Sequence, residues 1–166
     1  MRRLSDSLPM LLLRAREATL SHFRPALKDF GLTELQWRVL RVLDDCGEVS
    51  AQQLADECCV FSQSISRVIR RMEADRLLLT RTSPRDNRWI LIRLSRKGKR
   101  MFDKIGPEIE TKYREIRQQL SAEKLAMLYE TLNELANFSE DHILDDAADS
   151  TGTAERGTVK RSIPAA

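Results

Sequence analysis

Gln63, Ser66, Arg67 and Arg70 fall close together in the sequence and carry side chains suited to reading the edges of base pairs. Arg can donate two hydrogen bonds to guanine O6 and N7, Gln can pair with adenine, and Ser can reach a base edge or a phosphate. Ser62 and Ser64 beside them suit contacts nearer a nucleic-acid backbone. Further on, Asp86 and Arg88 are two residues apart, so the carboxylate can orient the guanidinium toward a narrow minor groove, where negative potential is high. Arg85 next to them suits a phosphate. All these residues lie between Ser62 and Arg100, where 12 Lys and Arg face 3 Asp and Glu, although the whole 166-residue chain has a formal net charge of only +3. A solvated charged face is the plain alternative to a phosphate-binding footprint, and local structure must decide between them.

The flanking pattern predicts elements able to hold these groups in place. Ile65, Val68, Ile69 and Met72 share one face of a helix, which turns Gln63, Ser66, Arg67 and Arg70 outward. A shorter helix precedes it, opened by Ser50-Ala51-Gln52-Gln53 and ending near Cys58 and Cys59, so the pair reads as a helix-turn-helix. Behind it, Leu77 to Ser83 and Trp89 to Leu94 read as two strands around the turn Pro84-Arg85-Asp86-Asn87-Arg88, a β-hairpin. Upstream, Leu8, Leu12, Ala15, Thr19 and Phe23 predict a long first helix with a break or kink near Pro25. Thr33-Glu34-Leu35-Gln36 has the spacing of a capping box for a second helix, stopped by Cys46-Gly47. From Ser95 or Arg96 to about Phe138 the apolar spacing predicts two more helices, the first interrupted by Pro107 and the second capped by Ser121. Beyond Glu140 the composition turns acidic and then Ser/Thr/Gly-rich, which predicts a disordered tail.

Composition narrows the remaining choices. With 6 Gly, 5 Pro and 3 Cys, a disulfide scaffold or a many-turned β-sandwich is excluded, and the fold class expected is mainly α with a small β-hairpin wing. No phosphate-cradling Gly-rich loop, nucleophile elbow or HExxH pair is present, so the chain does not read as an enzyme and calls for no cofactor. Cys46, Cys58 and Cys59 lack metal spacing and only His22 and His142 could join them, so no metal site is expected. Buried small hydrophobes are one role for these cysteines, and a redox switch at Cys58 or Cys59 beside the reading helix is the other. A helical protein-interaction module is a rival of a different class, one whose binding would not fall steeply with salt. No apolar run approaches the roughly 18 to 20 residues of a spanning helix, and Met1 to Leu13 lacks the apolar stretch of a signal peptide. The chain therefore reads as soluble and cytoplasmic, with no membrane partner.

The order of elements and several motifs resemble the MarR family of bacterial transcription regulators, from about Ser5 to Phe138. The most specific piece is Ser83 to Gly98: a charged tip with Asp-x-Arg, an apolar strand, then Leu-Ser-x-Lys-Gly at Leu94 to Gly98. Leu11 to Ala18, Phe23-Arg24-Pro25 and Leu32 to Arg38 resemble more narrowly the regulators of homoprotocatechuate (aromatic acid) catabolism. The resemblance implies a winged helix-turn-helix with a helical dimerisation domain. It also implies a homodimer on a pseudo-palindromic operator of double-stranded DNA, acting as a repressor released by a small aromatic acid. Arg67 matches the family's recognition-helix arginine and Arg88 its wing arginine. On this reading residues 1–30 and 96–138 form the dimerisation region, 31–95 the DNA-binding region and 139–166 the tail. Surplus apolar positions on the first, fifth and sixth helices also point to a second copy, which would space the two reading helices by about 34 to 36 Å. If the first two helices pack as the family implies, Arg16, His22, Trp37 and Arg38 offer an aromatic wall with basic groups for a carboxylate.

Overall fold

The computed structural model describes residues 3, 7–84, 86 and 89–148, with side chains through residue 137, in two units that divide after Ile116. The elements are α1 (Leu8–Asp29), α2 (Glu34–Cys46), β1 (Val49–Ser50), α3 (Ala51–Glu57), α4 (Ser62–Ala74), β2 (Leu78–Thr82), β3 (Ile90–Leu94), α5 (Arg96–Gln119) and α6 (Ala122–Ala148). The fold is that of a winged helix: mainly helical, with one small antiparallel sheet in the order β1-β3-β2.

Local chemistry sets most of the boundaries. Thr33 closes the expected capping box on α2: its hydroxyl accepts from Gln36 N at 3.2 Å, while its own N–H donates to Gln36 Oε1 at 2.8 Å. Gly47, at φ 74°, ends that helix in a conformation that costs a residue with a Cβ. Ser50 caps α3 through its hydroxyl, which accepts from Gln53 N. The Ser121 hydroxyl accepts from Lys124 N at the start of α6.

Three expectations need correcting, and one element is unforeseen. Pro25 does not break the first helix, which runs on to Asp29. Pro107 likewise sits inside α5; the residue before it is Gly106, which has no Cβ to clash with the proline ring in the helical conformation. The two-residue β1 has no periodicity to read, and it exists because Val49 and Ser50 pair with Ile92 and Leu91 of β3. Finally, α6 continues through residues 139–148, the first part of the expected disordered tail. That stretch has neither Gly nor Pro, and elongating a helix is far easier than starting one. Residues 149–166 lie outside the described residues.

The core of the first unit joins α1 through α5 and the sheet, with Leu40, Leu54, Ile65, Met72, Leu78, Ile92 and Ile105 almost completely buried. Its tightest joint lies where α4, β2 and α5 meet. The Ser95 hydroxyl donates to Arg76 O at 2.7 Å and accepts from Gly98 N at 2.9 Å, while Ser95 N donates to Leu77 O at 3.0 Å. This gives the Leu-Ser-x-Lys-Gly motif a physical meaning: the serine caps α5 and ties it to the exit from α4, and the glycine lets the two backbones touch. A Cβ on Gly98 would stand 2.2 Å from Leu77 O. Gly98→Ala should therefore destabilise the fold by about 1–3 kcal/mol, seen as a lowered midpoint in thermal or urea unfolding; an unchanged midpoint would show that the joint relaxes freely.

Candidate nucleic-acid interface

The helix-turn-helix forms as its periodicity predicts. Ile65, Ile69 and Met72 of α4 are buried and Val68 is half-buried, leaving Ser62, Gln63, Ser64, Ser66, Arg67 and Arg70 exposed on the other side. Ser66 donates its hydroxyl to Ser62 O at 2.9 Å, and Arg70 Nε approaches Ser66 O at 3.3 Å. The helix begins at Ser62, so Phe61 rather than a serine takes the cap position, without a side-chain cap.

Charge is distributed unevenly among the basic residues of this unit. Arg71 pairs with Asp75 at 3.0 Å, Lys99 with Asp44 at 2.6 Å and with Asp103 at 2.9 Å. Arg81 grips Glu48 through both Nε and Nη2, which pushes the Glu48 carboxyl below its ordinary range and ties β2 to the turn after α2. Among the described residues neither Arg67 nor Arg70 is paired with an acid. Two guanidiniums left without counter-charge on the exposed face of a helix are available to phosphates or base edges.

The hairpin extends from the same unit. Ser83 N donates to Trp89 O at 2.8 Å, and Trp89 N donates to Asp86 O at 3.0 Å, so the turn is closed by backbone bonds. Asp86 is half-buried and Trp89 exposed. Arg85 and Arg88 lie outside the described residues.

A second feature is an open cleft of about 760 Å³ between the end of α1 and the start of α2. Leu27, Leu32 and Leu35 form its apolar lining, and Arg24, Lys28, Arg38 and Glu34 its charged lining. Arg24 bridges two acids, reaching Glu17 Oε1 and Glu34 Oε1 at 2.5 Å each, and this holds its own pKa above the ordinary range and that of Glu17 below. Arg16 adds a longer contact to Glu34 at 3.9 Å. With Arg16, Arg24, Lys28 and Arg38 against Glu17 and Glu34, the local balance is positive.

The four residues expected around one aromatic-acid pocket separate into two places. Arg38 lines the cleft and Arg16 reaches it through Glu34. Trp37 is buried and stacked on Phe102 of α5, with ring centroids 5.1 Å apart at 16°. His22 turns toward α5 as well: its Nε2 lies 2.8 Å from Glu115 Oε2. Sequence reasoning missed Arg24, Lys28 and Glu34 as cleft residues, and it missed the hydrogen bond from Arg41 Nη1 to Tyr113 Oη at 3.1 Å. Arg38 itself donates from Nη1 to the carbonyl of Cys58, the residue that ends α3.

The cysteines divide. Cys58 is buried, and burial pushes its thiol up to about 11, whereas Cys46 and Cys59 are exposed, which corrects the reading of all three as buried hydrophobes. Oxidation proceeds through the thiolate, so Cys58 is a poor redox sensor at neutral pH. Among the described residues no His, Cys, Asp and Glu side chains gather into a set that could hold a metal ion, and no helix is long and apolar enough to cross a membrane.

A helix-turn-helix whose second helix exposes arginines with no acid partner among the described residues, backed by a β-hairpin, defines a winged helix-turn-helix DNA-binding protein. The chain belongs to the MarR family, whose family pattern matches residues 30–88. It is 37% identical over 144 residues to the homoprotocatechuate degradative operon repressor of Escherichia coli, covering 85% of this chain and 97% of that protein. Among solved structures it is similar to the transcriptional regulator PA4135 (TM-score 0.77, 41% identity, 79% of this chain and 96% of that one). It is also similar to NadR in complex with 4-hydroxyphenylacetate (TM-score 0.74, 31% identity, 81% and 98%).

Arg67→Ala should weaken binding to a cognate duplex by about 1–3 kcal/mol and relax sequence choice at one position. Wild-type affinity in a fluorescence-anisotropy titration would remove Arg67 from the interface. The pKa of Cys58 also sets a pH dependence. Because the folded thiol titrates above its ordinary 9.0, the stability it contributes is fully present below about pH 9 and is lost as pH rises through about 11. Cys58→Ala should flatten that alkaline loss in urea unfolding monitored from pH 8 to 11.

Proposed function

We propose that the chain is a homodimeric repressor that binds a pseudo-palindromic operator in double-stranded DNA and is released by a small phenolic or aromatic carboxylate. The observation that carries the DNA half is the exposed, acid-free pair Arg67 and Arg70 on α4, with Gln63, Ser62, Ser64 and Ser66 beside them. Arg85, Asp86 and Arg88 of the wing add phosphate and minor-groove contacts. A second copy is supported by exposed apolar side chains on two helices, Leu8, Leu11 and Leu13 on α1 and Met127, Leu128, Leu132 and Leu135 on α6. Residues 1–30 and 96–138 are accordingly assigned to dimerisation and 31–95 to DNA binding. Such a regulator works in the cytoplasm.

The effector half rests on the positively balanced cleft with its apolar lining, and on the 4-hydroxyphenylacetate held by the similar NadR. A carboxylate drawn to Arg38 competes with the Cys58 carbonyl for the same guanidinium. The effector thereby acts on the turn that sets α4, which is the differential interaction release requires. Arg16 joins this cleft through Glu34, whereas His22 and Trp37 face α5 and stand outside it.

A titration of the protein against the intergenic DNA beside its own gene, in rising salt and with a panel of phenolic and phenylacetic acids, tests the whole reading. Tight, salt-steep binding that one acid reverses is the expected result. Arg38→Gln should keep operator affinity and lose most of the response to that acid. Binding no tighter than to a scrambled duplex would overturn the DNA reading. A full acid response in Arg38→Gln would overturn the link through Cys58.

A further inference from the structure

Phe61 is the most exposed of the large hydrophobic side chains described, at 87%. It also occupies the cap position of α4, where Ser, Thr, Asp or Asn would satisfy a free backbone N–H, and it makes no such bond. Its backbone is nevertheless held firmly: Phe61 O accepts from Ser64 N at 2.9 Å and from Ile65 N at 3.2 Å. The phenyl ring is thus presented to solvent from a fixed position at the tip of the helix, flanked by exposed Ser62, Gln63 and Ser64. The fold derives nothing from it, since the buried side of α4 is Ile65, Ile69 and Met72. The exposed apolar groups that suit a second copy lie on α1 and α6.

We propose that Phe61 is a specificity-determining contact that packs its ring against the 5-methyl group of thymine in the major groove. The proposal rests on the DNA-binding reading above. The N-terminal residues of a reading helix are those that meet base edges. The polar groups of the major groove are hydrogen-bond donors and acceptors, and the thymine methyl is the one bulky apolar group beside them. Gln63, Ser66, Arg67 and Arg70 can address the polar groups, and Phe61 adds the feature they cannot read. Covering one methyl group should be worth about fourfold in affinity.

The test uses full-length protein and the tightest duplex selected by the wild-type chain from a random-sequence library, with its thymines replaced one at a time by deoxyuridine, which lacks only the methyl. At one or two positions the wild type should bind the deoxyuridine duplex about fourfold more weakly. Phe61→Ser should bind the two forms equally there, with a melting temperature no lower than the wild type's because serine restores the cap. Phe61→Leu should retain part of the discrimination. Unchanged discrimination in Phe61→Ser, no discriminating position in the wild type, or an equal loss by Phe61→Ser on every duplex would each overturn the proposal. A wild type that selects no sequence over a scrambled duplex would instead sink the DNA-binding reading, and the proposal with it.

Discussion

Burial of Ile65, Ile69 and Met72 is the constraint on which the rest of the structure depends. Each fully buried aliphatic or thioether side chain favours the folded state by about 1.5–3 kcal/mol as an upper estimate, so α4 has one stable rotation about its own axis. That rotation alone decides that Gln63, Ser66, Arg67 and Arg70 face solvent together. A helix with the same composition and a shifted apolar pattern would bury its arginines or scatter them.

The wing depends on the same core by a different route. Ile92 sits at the centre of the sheet, paired with Val49 on one side and Thr80 on the other, and is completely buried. Ser95 then fastens the end of β3 to the exit from α4 through Arg76 O and to the start of α5 through Gly98 N. The end of α4, β3 and the start of α5 are therefore tied together, and the Arg81–Glu48 fork adds a bond from β2 to the turn after α2.

Charge pairing divides the cations by role. Arg24, Arg71, Arg81 and Lys99 have acids within reach, whereas Arg67 and Arg70 have no acid partner among the described residues. Arg38 stands between the two groups. It touches a backbone carbonyl rather than an acid, and a carboxylate ligand would be a stronger partner for it than a neutral oxygen. The bond to Cys58 thus links the cleft to the turn that precedes α4.

How much of this could be read from the chain alone differs by feature, and the reason is the range of the interaction. The apolar period of α4, the Thr33–Gln36 box, the Gly47 stop and the turn chemistry of the hairpin are local. The residues that create them lie within a few positions of one another, so the helix-turn-helix and its outward face were determined by sequence. The short β1, the path of α5 through Pro107, the partition of Trp37 and His22 toward α5 and the pairing of Arg81 with Glu48 join residues distant in the chain. Each depends on which surfaces meet after folding, and no periodicity encodes that. The cleft belongs to the same group, because Arg24 and Lys28 of α1 come beside Glu34 and Arg38 of α2 only when the two helices have packed. Phe61 shows the boundary most clearly: it belongs to no apolar period of α4, and only the tertiary structure shows its ring 87% exposed at the mouth of that helix.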